Sequence, residues 1–379
     1  MNILNFFTLG YEEHFLRMGI IMGTMIAIYL FFRVRYALKD SNLSKNKKYV
    51  VLFIFTLLPY VFCLNVWSFP ALLTLYFFFA SLIADFISII YKLLVKDNNF
   101  NFWSKFHKKG FLAILIFAII VIVSANGLNH IEATEYNITT DKIDNNTYSI
   151  VWISDTHYGT IQDKQVVKEA ISKINDTKPD IVVLGGDIIE ERTSYDDTKE
   201  IFKELGEINS TYGTFFVYGN HEHHPAPSCC EDGKNPLTTE EELNKTIKEN
   251  GIQILDDDKI TINDDIVLVG RSDEQGNSHT RNLSEIANVT DFSKYLVVLD
   301  HKPIDCLENS KEGADLQISG HYHGGQTFPL GLQDRLTGYL IYGEYKFGDM
   351  KLLESSGMAG WGRPIKNEGK CEYVVINIS

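Results

Sequence analysis

The stretch Ser319–Pro329, SGHYHGGQTFP, sets two histidines one residue apart among three glycines, directly after the alternating run Leu316-Gln317-Ile318-Ser319. Clusters of hard or borderline metal ligands recur at four other places: Asp155-Thr156-His157, Gly185-Gly186-Asp187, Gly219-Asn220-His221-Glu222 and Asp300-His301. Each cluster follows an apolar run that reads as a buried strand, namely Ala314–Ser319 for the first and Tyr148–Ile153, Asp180–Leu184, Thr214–Tyr218 and Tyr295–Leu299 for the others. In α/β sheets the carboxyl ends of the strands are where sites assemble. A lone Asp or His after a strand is ordinarily a turn residue. Five clusters in register are a different matter.

The donors are carboxylates, an amide oxygen and imidazoles, with no thiolate, a set that suits Mn, Fe, Zn or Co. It holds more donors than one four- to six-coordinate ion takes. Two ions about 3.5–4 Å apart and sharing a carboxylate would use them all. Such a pair stabilises the attacking and leaving oxygens of an in-line displacement at phosphorus, and it lowers the pKa of a water enough to supply hydroxide near neutral pH. Gly185, Gly186, Gly219, Gly320, Gly324 and Gly325 would let backbone approach the ions without Cβ clashes. His321 and His323, at i and i+2 on an extended strand end, would point the same way, each towards a different ion.

Taken in order, Asp155-x-His157, Gly186-Asp187, Gly219-Asn220-His221-Glu222, His301 and Gly320-His321-x-His323 resemble the five motifs of the calcineurin-like metallophosphoesterases. The stretch Gly320–Gln326 with Pro329, and the later Gly360-Trp361-Gly362, resemble the membrane-anchored or exported bacterial branch. The resemblance runs from about Ser149 to the C-terminus. It implies a four-layer α/β/β/α sandwich and a role for each matched residue. Asp155, His157 and His323 would hold the first ion, Asp187 would bridge, and Asn220, His301 and His321 would hold the second. His221 would face the phosphate, stabilising the transition state or protonating the leaving oxygen.

The elements that carry these residues occupy only part of the chain. Residues 1–125 hold 12 Lys/Arg against 5 Asp/Glu, and the remainder holds 23 against 44, a change from +7 to −21. The first part is a membrane region with apolar stretches at Leu16–Phe32, Tyr49–Trp67, Phe69–Leu94 and Gly110–Ser124. A bilayer core takes about 20 apolar residues per helix, so four transmembrane helices are expected, the last of them short. Arg33, Arg35, Lys39, Lys45, Lys47 and Lys48 follow the first helix, and Lys96, Lys105, Lys108 and Lys109 follow the third. The positive-inside rule puts both loops in the cytoplasm and everything after Ala125 outside it. Asp85, deep in the third helix, is either functional or paired with a neighbouring helix to fix the bundle.

Residues 126–147 read as a linker and domain entry, and 148–379 as an α/β domain of two mixed sheets flanked by helices. Val166, Val167, Ala170, Ile171 and Ile174 line one helix face, and Ile201, Leu205 and Ile208 another. Thr239 with Glu242 reads as a capping box. Further strands are expected at Ile260–Ile262, Ile266–Gly270, Tyr339–Tyr342, Met350–Glu354 and Tyr373–Ile378. Cys229, Cys230, Cys306 and Cys371 lie where disulfides can form, without a zinc-type CxxC spacing.

These readings converge on a membrane-tethered, extracytoplasmic dimetal phosphoesterase that hydrolyses a phosphoester by attack of a metal-bound hydroxide, a phosphodiester being favoured over a monoester and a lipid- or cell-envelope-linked substrate being one candidate. The competing expectation is a metal-binding sensor or signalling module of the cell envelope without turnover. Expected partners are the lipid bilayer and a small-molecule or lipid phosphoester. Long nucleic acid is not expected, because its binding rests on many Lys/Arg–phosphate contacts and the outer domain is acidic. His223 and His224 could shape a substrate pocket, and Arg271 or Arg281, the latter in a polar loop with His279, could meet a phosphate. Oligomeric state leaves no mark in the sequence.

Overall fold

The structure, a computed structural model, describes residues 13–66, 68–95, 100–143, 146–223, 238–274, 278–288 and 291–379. The chain divides into two compact units, Met1–Val123 and Ser124–Ser379.

The first unit is helical: α1 (Glu13–Leu38), α2 (Lys45–Cys63), α3 (Phe69–Leu94), α4 (Phe100–Lys108) and the start of α5 (Phe111–Asn126). The stretches Leu16–Leu38, Lys45–Cys63 and Phe69–Leu94 are long and apolar enough to cross a membrane. Helix α5 has 16 residues, about 24 Å of helix against a hydrocarbon core of about 30 Å. Three of the four expected spans therefore have full length, and the fourth is short. Ser68 begins α3 by accepting a hydrogen bond from the Ala71 amide, with proline in the first turn. Helix α4, inside the second basic loop, was not expected.

Asp85 has partners on two other helices. Its Oδ1 lies 2.7 Å from His107 Nε2 and 3.1 Å from Arg33 Nε, and its Oδ2 accepts from the Tyr29 hydroxyl at 2.7 Å. Arg33 also donates to the carbonyls of His107 and Lys108. Of the two readings of Asp85, the helix-pairing one has its partners in place, tying α1, α3 and α4 together.

The second unit is a sandwich of two six-stranded mixed sheets. One has strand order β1-β12-β2-β3-β4-β5, with β1 (Ile131–Ile138), β12 (Cys371–Ile378), β2 (Tyr148–Ile153), β3 (Ile181–Leu184), β4 (Thr214–Phe216) and β5 (Gln253–Ile254). The other has the order β10-β11-β9-β8-β7-β6, with β10 (Gly343–Phe347), β11 (Met350–Glu354), β9 (Leu316–Ser319), β8 (Tyr295–Leu299), β7 (Ile266–Gly270) and β6 (Asp258–Ile262). The central strands IVVL, YLVVL and IVLVG are buried along their whole length. Such continuous apolar runs are what a parallel strand covered on both faces requires.

The alternation of side chains splits these strands between layers. Ile150, Trp152 and Val183 meet Leu268, Val297 and Leu316 between the sheets. Val151, Val182 and Phe216 face α6 (Lys164–Thr177), α7 (Tyr195–Gly206) and, after the single turn α8 (Asn220–His223), α9 (Glu240–Glu249) through Ile171, Phe202 and Ile247. Val267, Val298 and Leu352 pack outward with Leu283, Ile286 and Cys306, the last on α10 (Cys306–Lys311). The result is the expected α/β/β/α order. Asp163, Ser194 and Thr239 cap the three long helices with their side chains, Thr239 in a full capping box with Glu242.

Two expectations need adjusting here. The stretch 126–147, read as linker and domain entry, contains β1, which pairs in parallel with β12 as the sheet edge. No strand forms at Tyr339–Tyr342. The strand is Gly343–Phe347, antiparallel to β11, while Tyr339 stands exposed and the Tyr342 hydroxyl reaches Glu372.

Candidate metal centre

Strands β2, β3, β4, β8 and β9 deliver the five clusters to one edge of the sandwich. There the backbone leaves ordinary geometry: Asp155, His157, Asp187, His321 and His323 all have left-handed φ, between 42° and 77°. Such φ values in non-glycine residues cost about 1–3 kcal/mol each and persist where the surroundings over-determine them. Here hydrogen bonds do so, from the amides of Asp155, His157 and Gly320 to the carbonyls of Gly186, Asp187 and His301. Two glycines are steric necessities. A Cβ on Gly219 would collide with the Asp187 carboxylate, and one on Gly320 with that of Asp155.

The ligand atoms gather in two adjoining groups. Asp155, His157 and His323 have donor atoms within 4.8 Å of one another, and so do Asp187, His301 and His321. His157 and Asp187 also group with His221 in this way, which makes the two sets neighbours. His321 falls in one candidate group and His323 in the other, but not by way of the extended strand end that was expected. Both residues are left-handed, and a 3₁₀ turn starts at His323, so the rings diverge through a kinked backbone rather than an extended one.

The residues fit a divalent metal pair. Both ring nitrogens of His157, Oδ1 of Asn220 and Nδ1 of His323 are buried and make no hydrogen bond. His301 Nε2 lies 3.0 Å from Asp187 Oδ2 without hydrogen-bond alignment. Buried polar atoms without partners are rare, and this many in one place call for a ligand. His301 Nδ1 meets the Gly185 carbonyl at 2.9 Å, which turns Nε2 inward, the usual outer contact of a metal-ligating imidazole. Burial holds His157 and His321 well below the usual imidazole range and His323 down at about 4. These rings are neutral and available as donors. His301 is opposed by burial too, but the Asp187 carboxylate outweighs it and lifts its pKa to about 10. The field at Asp187 favours positive charge.

His221 sits beside both groups. Its Nδ1 is 3.0 Å from each oxygen of the buried Glu191 carboxylate, and its ring lies 5.4 Å from Trp361. Its amide donates to Asp187 Oδ1 at 2.9 Å. Burial lowers its pKa, yet Asp187 and Glu191 together raise it to about 9. Glu191 has no counterpart in the sequence reading, where its only signal was a second carboxylate four residues after Asp187. Glu222, grouped there with the donors, is no ligand. It accepts from the amides of Asp187, Ile188, Ile189 and Gly219, all within 3.1 Å, and so shapes the loops that carry Asp187 and Asn220.

Other expected residues are engaged elsewhere. Arg271 and Arg281, the expected phosphate contacts, both pair with Asp257, and His279 Nε2 meets Asp300 at 2.8 Å. The His223 ring packs on Tyr218. His224, Cys229 and Cys230 lie outside the described residues. Cys306 and Cys371 are buried free thiols.

Residues 148–325 match the family model of the calcineurin-like phosphoesterases. The chain is 29% identical over 306 residues to an uncharacterized metallophosphoesterase of Campylobacter jejuni, covering 79% of this chain and 78% of that one. It is 32% identical over 266 residues to an uncharacterized metallophosphoesterase of Bacillus subtilis, covering 65% and 85%. A bovine transmembrane protein with a metallophosphoesterase domain is 26% identical over 245 residues, covering 61% and 53%.

Proposed function

The chain belongs to the calcineurin-like phosphoesterases and is a metal-dependent phosphoester hydrolase associated with a membrane, and from that premise we propose an extracytoplasmic enzyme that uses two divalent ions to hydrolyse a lipid- or cell-envelope-linked phosphodiester. The observation that carries this reading is the pair of adjoining donor groups, with buried donors that no protein atom satisfies.

Asp155, His157 and His323 would hold one ion, and Asn220, His301 and His321 the other, with Asp187 between them. Divalent Mn, Fe, Zn or Co bound there supplies Lewis acidity towards phosphoryl oxygens and a lowered water pKa. The remaining work falls to the chain itself. Glu191 occupies Nδ1 of His221, so Nε2 is the nitrogen that can meet substrate. Against the pull of burial, Asp187 and Glu191 lift the His221 pKa to about 9 in the metal-free chain, which favours the protonated ring. It can therefore hydrogen-bond the charge that develops on phosphoryl oxygen and hand the Nε2 proton to the leaving oxygen as the P–O bond breaks. Glu222 and the Asp187 loop hold their places throughout, because their hydrogen bonds run to backbone.

The acidic outer unit weighs against long nucleic acid as substrate, and the helical unit favours a phosphoester presented at a membrane. The test is to strip full-length protein of metal, reload it with Mn, Zn or Fe, and assay an aryl phosphomonoester beside an aryl phosphodiester. Metal-dependent turnover with diester preference, lost in Asp187→Ala and His221→Ala, is the expected result. Turnover retained in either variant would overturn the assignment.

A further inference from the structure

Six large apolar side chains stand exposed among the described residues of the second unit, and five of them lie between Phe328 and Trp361. They are Phe328, Leu332, Leu336, Tyr339 and Trp361, with Leu336 80% and Tyr339 52% exposed. A soluble surface scatters such residues singly; gathered ones mark an interaction surface.

Gln326 ties together the two segments that carry them. Its Nε2 donates to the carbonyls of Trp361, Arg363 and Ile365, and its Oε1 accepts from the Trp361 amide at 2.9 Å. Its own carbonyl accepts from the amides of Asn367 and Glu368. Glu368 in turn pairs with Arg335 of α11 (Leu330–Leu336), the short helix that carries Leu332 and Leu336.

Both edges of this surface are fixed. On one side it reaches the metal centre, with the Trp361 ring 5.4 Å from His221, and Tyr339 5.5 Å from Tyr322, which is itself 4.9 Å from His321. On the other it reaches the end of α5. The Asn367 side-chain amide accepts from the Phe328 amide at 2.8 Å through Oδ1 and donates to Ser124 Oγ at 2.7 Å through Nδ2. The Lys366 amide donates to the Ser124 carbonyl at 2.9 Å. A single side chain thus joins the apolar surface to Ser124, the first residue of the second unit, which follows the apolar part of α5. That helix offers only Phe111–Val123 before Ser124, about 20 Å, and a span shorter than the hydrocarbon core draws its flanks into the interface.

We propose that Phe328, Leu332, Leu336, Tyr339 and Trp361 form an apron that rests in the lipid bilayer and holds the mouth of the metal centre against the membrane surface. The inference deepens the reading of the chain as a membrane-tethered hydrolase of a lipid-linked phosphoester, and it names the surface through which that substrate would arrive. Aromatic and leucine side chains beside a polar site are what the headgroup–acyl boundary accommodates.

The test uses full-length protein in vesicles of phosphatidylethanolamine and phosphatidylglycerol doped with a phospholipid bearing a photoactivatable diazirine below its headgroup. After irradiation, adducts are mapped by mass spectrometry. Adducts on peptides containing Leu332–Tyr339 and Trp361 are expected, reduced about tenfold by Leu332→Glu/Leu336→Glu, while turnover of a soluble aryl phosphodiester is unchanged. Should the double variant fail to fold, Leu336→Ser alone tests the most exposed position. Labelling of these peptides no higher than that of α9 overturns the proposal, as does crosslinking of the apron to a second copy instead of lipid. Hydrolysis is read separately, with a vesicle-presented phosphodiester. Apron labelling without hydrolysis of that substrate leaves the docking in place and removes the lipid-substrate reading.

Discussion

His221 is gripped at Nδ1 by a carboxylate that is itself buried, and this fixes both its orientation and its charge. Replacing it with Ala should lower kcat about 10²–10⁴-fold, the usual contribution of a positioned general acid, with both metal equivalents retained by elemental analysis. Glu191→Gln keeps the hydrogen bond and removes the charge that helps lift His221 to about 9. The alkaline limb of the kcat/KM–pH profile should therefore move to lower pH in that variant, a shift that a purely structural loss would not produce. His301 supplies a second pH effect. Asp187 raises it to about 10 against the pull of burial, so metal-free protein carries that proton at neutral pH and must release it on loading. Its raised pKa stabilises the metal-free fold fully below the ordinary imidazole range, and that contribution disappears as pH rises towards about 10. Metal affinity measured by calorimetry should accordingly climb with pH between about 7 and 10, with proton release visible as a dependence on buffer ionisation enthalpy.

At the scale of elements, the strands were the legible part. Five apolar runs, each ending in a ligand cluster, announced five strands whose carboxyl ends share an edge, because a buried parallel strand has to be apolar throughout. What stayed hidden depends on partners distant in sequence. Glu222 looks like one more donor until its four amide partners are seen, three of them on the Asp187 loop more than thirty residues earlier. The exposed edge strand β1 carries a half-polar pattern that resembles a linker, and the left-handed backbone at His321 and His323 has no signature in residue type. Glu222→Gln tests the loop-holding role, since an amide presents one acceptor oxygen where the carboxylate presents two. Metal affinity should fall about 10–100-fold, as it does when support behind a metal ligand is lost, while circular dichroism of the folded protein is unchanged. Unaltered affinity would mean that the loops hold their shape without it.

The whole molecule joins an apolar helical unit to a strained, negatively polarised metal centre, and each has a measurable consequence. Metal should stabilise the second unit by about 4 kcal/mol at a free concentration a thousandfold above Kd, so chelation should lower its Tm and reloading restore it. Sidedness turns on α5. The basic residues from Arg33 to Lys48 and from Lys92 to Lys109 favour the cytoplasm for both loops, and α5 alone then decides which face the second unit occupies. Its 16 residues fall short of the usual ~20 for a span. If it crosses, by local thinning of the bilayer, the metal centre faces outward. If it lies flat, that centre shares the cytoplasm with the basic loops. A protease-cleavable tag at Ser379 should be removed from intact cells stripped of their wall, whereas a tag inserted after Asn46 should survive until the membrane is opened. Survival of both tags would place the enzyme inside, leave three crossing helices, and redirect the substrate search to the inner leaflet.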